Sequence, residues 1–258
     1  MFPMKFMKFA ALVMALALCV VLAGCQSNES GLDTVNAGKF TVATNAEFAP
    51  WEMVGEGGEY IGVDMEVAEI IAKELGLELA IENVEFNSVI NMVTSNKADA
   101  AMSGITITPE RQESVLFSTP YATAVQSIIV REGYADIAKV DDLVGKVVGV
   151  QMSTTGDFFV SDMEGVEVRQ YSTGTNAALD LAAGRIDAVM IDSAPAEEIV
   201  SNIDGLVILE GIEMEPESYG IAFKLGNTAL CEKVNAILER LLSDGTIDNL
   251  YIKYTVGE

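Results

Sequence analysis

The chain has 258 residues, half of them apolar, with 15 basic against 39 acidic side chains, no histidine, and a formal charge of −24. No basic stripe is available to offset phosphate charge, which argues against nucleic acid as a partner. The lack of histidine removes histidine-dependent catalytic triads, and three cysteines in no spaced set argue against zinc and other soft-metal sites.

The N-terminus carries Lys5 and Lys8 and no acid before an almost wholly apolar run from Phe9 to Ala23, the pattern of a signal peptide. The run is short of the ~20 residues a membrane span needs. Leu22-Ala23-Gly24-Cys25 resembles the bacterial lipobox, in which the cysteine is acylated and becomes the first residue of the processed chain. Cys25 is thus the expected lipidation site, and residues 26–38 read as a polar tether. Without residues 1–24 the chain holds 13 basic and 39 acidic residues, a formal charge of −26. With so much apolar content and no long low-complexity tract, that charge belongs on a solvated surface around a core. The roughly 220 residues left suit one large or two small domains.

Short β-rich runs then alternate with helical patterns, a βαβ grammar. Phe40–Thr44 is followed by a helix over Val63–Leu75, Glu78–Glu82 by one over Asn87–Thr94, and Ala98–Met102 by a turn at Pro109. The first helix puts Val63, Val67, Ile70, Ile71 and Leu75 at core-facing spacing and stops at Gly76. A second series runs Val147–Gln151, a helix near Thr155–Asp162, Val166–Gln170, a helix over Asn176–Ala183, and Ile186–Ile191. The segment from Asn96 to Met102 is echoed by Gly184 to Met190, which marks a duplicated α/β lobe. Ala122–Val130 and Glu217–Phe223 read as two crossings between the lobes, hence a two-strand hinge. A last helical piece, with Leu230–Leu242 at its centre, is expected to pack back on the first lobe.

The segment from Met102 to Arg111 places Ser103, Gly104, Thr106 and one fixed cation, Arg111, at the end of an apolar strand. A guanidinium grips a carboxylate through its planar fork, and glycine lets backbone approach a ligand closely. Thr108 before Pro109 reads as a helix N-cap. The matching strand end of the second lobe carries Asp192. Ligands of open α/β sheets bind outside the carboxyl ends of strands. A cation and an anion at two such ends, facing across a cleft, make a site for a zwitterion.

Taken together, the motifs Ala43 to Glu52, Gly62 to Met65, Gly104 to Arg111, Gly145 to Gln151, Asp187 to Asp192 and Tyr219 to Phe223 resemble, in that order, the solute-binding proteins of amino-acid ABC importers, the polar amino-acid type with the type II periplasmic-binding fold. The resemblance spans about Lys39 to Tyr254. It implies lobe one over 39–124 and 220–258, lobe two over 125–219, and crossings near 122–130 and 215–221. It also implies an extracytoplasmic, lipid-anchored protein that hands a polar L-amino acid, glutamine-like or basic, to an ABC permease in the membrane, without cofactor or catalysis.

By the same resemblance, Arg111 holds the ligand carboxylate with a backbone amide at Thr155, and Asp192 holds the ammonium with groups at Gly104 and Thr106. Phe48 and Phe86 match aromatic positions that sandwich the side chain. Trp51 and Glu52 read as structural wall. Asn45 stands where several members have an acid, and Gln151 where some have lysine. Two neutral amides suit a side chain such as glutamine's, while Glu47 nearby leaves a cationic side chain open. Two alternatives remain: a cyclohexadienyl dehydratase-like enzyme on the same fold, with Asp192 or Glu47 as general acid, and an amino-acid-sensing receptor subunit.

Overall fold

The computed structural model describes residues 32–256, and from Thr34 onward these belong to one compact unit. The expected signal peptide and Cys25 lie outside the described residues.

Two five-stranded sheets form the scaffold. The first runs in the order Glu78–Asn83, Lys39–Thr44, Ala100–Ala101, Ala222–Lys224 and Val115–Phe117; the second runs Glu167–Tyr171, Val147–Gln151, Ala188–Asp192, Gln126–Arg131 and Leu206–Ile208. In both, the first three strands are parallel and the fourth is antiparallel to each neighbour. The chain is therefore two similar α/β lobes of one strand order.

The sequence echo has a structural cause. Asp99 accepts from the Thr41 amide at 2.7 Å and donates its own amide to the Thr41 carbonyl at 2.8 Å. Asp187 does the same with Val147, at 2.9 and 2.8 Å. Each echoed aspartate thus locks its strand beside its parallel neighbour, Lys39–Thr44 in one lobe and Val147–Gln151 in the other, a structural task that leaves the far strand end free.

Ala122–Ala124 and Glu217–Tyr219 pair antiparallel as a two-strand ribbon between the sheets. The predicted single crossing Ala122–Val130 breaks at Val125, because the chain there leaves the ribbon and joins the second sheet at Gln126. Helix Val63–Glu74 buries Val63, Val67 and Ile71 against the first sheet and ends where Gly76 takes φ 68°, a left-handed turn suited to glycine. Helix Thr228–Ser243 buries Leu230, Val234, Leu238 and Leu241. Together with Thr246–Thr255 it packs on helix Val63–Glu74, so the terminal piece does return to the first lobe.

The strand predicted over Ala98–Met102 is only Ala100–Ala101, since Asp99 turns its side chain back into the ladder. The sequence reading also missed a small meander of Glu47–Phe48, Glu52–Val54 and Tyr60–Ile61. Its strands are too short for alternation to register.

Candidate ligand site between the lobes

The loop from Ser103 to Arg111 leaves the first sheet and is fixed at both ends. Thr108 caps a short helix, Pro109–Gln112, and accepts from the Arg111 amide at 3.2 Å. At the other end the Gly104 amide donates to Asp64 at 3.1 Å, and the Tyr121 hydroxyl donates to the same carboxylate at 2.7 Å. Gly104 has φ 51°, and a Cβ there would lie 2.9 Å from the Phe48 ring, so the position requires glycine.

Behind this loop Glu52 and Asp64 are both buried. Burial pushes both carboxyls up, Glu52 further because the Asp64 charge lies beside it. The Ser103 hydroxyl donates to Glu52 at 2.9 Å and accepts from the Asn45 amide at 3.0 Å. Ser103 is therefore a strut behind the cleft, not a cleft group.

The Arg111 side chain is 8% exposed and reaches across the cleft. One guanidinium nitrogen donates to the Thr106 carbonyl at 2.9 Å, another to the Ser153 carbonyl of the second lobe at 3.0 Å. Its carbon lies 5.6 Å from the Phe86 ring centroid, within cation–π range. Burial lowers the guanidinium pKa, and the Glu217 and Asp192 charges oppose the shift. Two of its five N–H donors are used in these bonds, so three remain. Ser153 adopts φ 67°, a left-handed conformation for a non-glycine residue, stabilised by its amide donating to Asp157 at 2.8 Å. Thr154 caps the following helix and Thr155 opens it.

Asp192 ends its strand at the N-cap of helix Ser193–Asn202, yet its side chain makes no cap bond. It turns into the cleft and accepts from Gln126 Nε2 and the Tyr219 hydroxyl. Burial pushes its pKa up from 3.8 to about 6; the Tyr219 and Gln126 bonds pull it down, and the Glu217 charge pushes it further up.

Of the residues the sequence singled out, Phe48, Phe86, Gly104, Thr106, Arg111, Gln151, Thr155 and Asp192 line one cavity together with Thr154. Asn45 sits beside it and accepts from Gln151 Nε2 at 2.9 Å, so one bond joins the two amides across the lobes, while Gln151 Oε1, buried, has no partner. Glu47 is exposed and lines a separate cavity of 340 Å³ with Glu198, Pro195 and Met53. The central cavity has a volume of only 10 Å³, near the threshold for a single water. The lobes are drawn together, and the cavity admits nothing larger than a water unless they part.

Glu217, Gln126 and Tyr219 escaped the sequence reading. Their signal is present in the sequence, because Gln126 interrupts an apolar crossing and Glu217 opens the return, but spacing alone reads both as hinge backbone.

The profile of the bacterial extracellular solute-binding proteins, family 3, matches residues 40–257. The chain belongs to this family. It is 32% identical over 241 residues to the ABC transporter arginine-binding protein 1 of Escherichia coli K12, an alignment covering 91% of this chain and 96% of that one. Among solved structures it is similar to the arginine-bound, truncated ArgBP of T. maritima, with 41% identity and a TM-score of 0.76 over 79% of this chain and 96% of that one. It is also similar to an ancestral arginine-binding protein bound to glutamine, with 38% identity and a TM-score of 0.80 over 86% and 99%. As a family member the protein is an extracytoplasmic solute-binding protein with the periplasmic-binding fold.

Proposed function

We propose that the protein captures a polar L-amino acid between its lobes and delivers it to an ABC importer, held to the membrane by a lipid on Cys25. The observation that carries this reading is the convergence on one interlobe cavity of Arg111, with three unengaged N–H donors, and the buried Asp192. The fork of Arg111 suits the α-carboxylate, with the Thr155 amide beside it, and Asp192 suits the α-ammonium. Phe48 and Phe86 flank the remainder of the ligand.

The side-chain end is read from Gln151. Its unpartnered Oε1 favours a ligand that brings N–H donors, which arginine and glutamine both do. The arginine- and glutamine-bound relatives support the same choice. Two neutral amides no longer argue for glutamine over arginine, because Asn45 and Gln151 are partners of each other. Closure sets the groups of the second lobe on a ligand already resting on the first, so binding shifts the open-to-closed population. No chemical step is assigned to the cleft. Turnover of prephenate or arogenate to an aromatic product would contradict that part of the reading.

Thermal unfolding of the ligand-stripped protein against each of the twenty L-amino acids tests the proposal. Ligand at a hundred times Kd stabilises by about 2.7 kcal/mol, and a shift is expected with arginine, glutamine or both. No shift with any amino acid overturns the reading.

A further inference from the structure

Glu217 has no task in that account, yet it is tied to both lobes at the floor of the cleft. It lies half-buried on the return strand, which is held to the site loop by Ile107 and Gly220 amides donating to the Ser218 and Ile105 carbonyls at 2.8 and 3.0 Å. Its Oε2 accepts from the Thr106 hydroxyl at 2.7 Å on one lobe and from the Thr155 hydroxyl at 2.7 Å on the other. Its Oε1 accepts from Gln126 Nε2 at 3.3 Å, and the same amide donates to Asp192 and, at 3.2 Å, to Thr155 Oγ1.

A hydroxyl carries one proton and two lone pairs, whereas a carboxylate only accepts. With Glu217 Oε2 taking both hydroxyl protons, neither threonine has a donor left for a ligand. Thr106 keeps two lone pairs, and Thr155 keeps one beyond the bond it accepts from Gln126. The orientation of Gln126 follows from the same logic. Its amide nitrogen must face Asp192 and Glu217, because the reverse would set its oxygen against two acceptors.

We propose that Glu217 is the residue that makes the cleft selective for a protonated α-amine. It acts through its neighbours: by consuming one hydroxyl proton from each lobe, it turns Thr106 and Thr155 into acceptors beside Asp192. An ammonium then meets acceptors on every side, while a carboxylate placed there meets lone pairs and is directed to Arg111. The ligand class is a primary α-amino acid as opposed to its desamino counterpart. This rests on the amino-acid reading above, and it assigns to a hinge residue a part in specificity that the hinge role does not require.

The test is titration calorimetry of wild type, Glu217→Gln and Glu217→Asp with the amino acid that stabilises the wild type and with its desamino analogue, which keeps the carboxylate and side chain. In Glu217→Gln an amide nitrogen at the Oε2 position donates to both hydroxyls, which then accept and turn their own protons toward the ammonium. Affinity for the amino acid is expected to fall roughly tenfold or more, with the analogue changed less than about threefold. Glu217→Asp stays acceptor-only and is expected to recover part of the discrimination. Equal losses for both ligands mark a merely structural residue and overturn the proposal, as does an unchanged ratio in Glu217→Gln. A wild type that binds neither ligand overturns the amino-acid reading itself, a result distinct from either.

Discussion

Replacing Asp192 with asparagine is expected to make the ligand-free protein more stable at pH 7 while weakening its binding at least tenfold. Burial raises this carboxyl from 3.8 to about 6 in the folded chain, so the folded state holds the proton more tightly than the unfolded state does. The associated stability is complete below about pH 4 and is lost as pH rises through about 6. At pH 7 the fold therefore bears the cost of an ionised, buried carboxylate, and the gap between 3.8 and about 6 corresponds to about 3 kcal/mol. Asparagine keeps the shape and removes the charge. It weakens the bonds from Gln126 and Tyr219, which offsets about 1 kcal/mol. The net gain of about 2 kcal/mol raises Tm by about 4–8 °C in a chain of this size. Scanning calorimetry from pH 4 to pH 8, on protein stripped of ligand by unfolding and dialysis, measures it. The gain should be largest at pH 7 and give way to a loss of about 1 kcal/mol near pH 4. An asparagine variant no more stable than wild type at pH 7, or a gain independent of pH, refutes the reasoning. The instability of a binding cleft without its ligand is the physical signature of a site built to be completed.

Four further outcomes follow from the same geometry. Arg111→Ala removes the cation and its bridge to Ser153, and is expected to weaken amino-acid binding by about 2–5 kcal/mol in calorimetric titration; near-native affinity would dismiss Arg111 as the carboxylate grip. Because an ammonium needs Asp192 ionised, wild-type affinity should be flat above about pH 7, about twofold weaker at pH 6 and about tenfold weaker at pH 5, with the dependence absent in Asp192→Asn. Gly104→Ala places a Cβ 2.9 Å from the Phe48 ring at φ 51°, costing about 1–2 kcal/mol of stability and weakening binding through displacement of Phe48; a variant unchanged in both Tm and affinity would contradict the glycine requirement. Cys25→Ser should abolish incorporation of a radiolabelled fatty acid into the protein, and label retained in the variant would exclude this cysteine as the anchor.

The duplicated α/β architecture, the strand ends bearing Arg111 and Asp192, and the Thr108-Pro109 cap were legible in the sequence because each rests on local order: apolar periodicity, a repeated heptapeptide, and a capping residue beside a proline. What the sequence left undecided concerns side chains that meet only after the lobes close. Ser103 and Thr106 are both small and polar and lie three apart, yet one props Glu52 behind the cleft and the other faces into it. Asn45 and Gln151, read separately as two readers of the ligand, are bonded to each other across 106 positions of chain. Gln126, Asp192, Glu217 and Tyr219 come from two strands of the second sheet and from the hinge ribbon, and no spacing along the chain announces that they form one network. Periodicity records which face a residue turns to its own sheet; which donor then finds which acceptor depends on the crossing of distant strands, and that is fixed by tertiary structure alone.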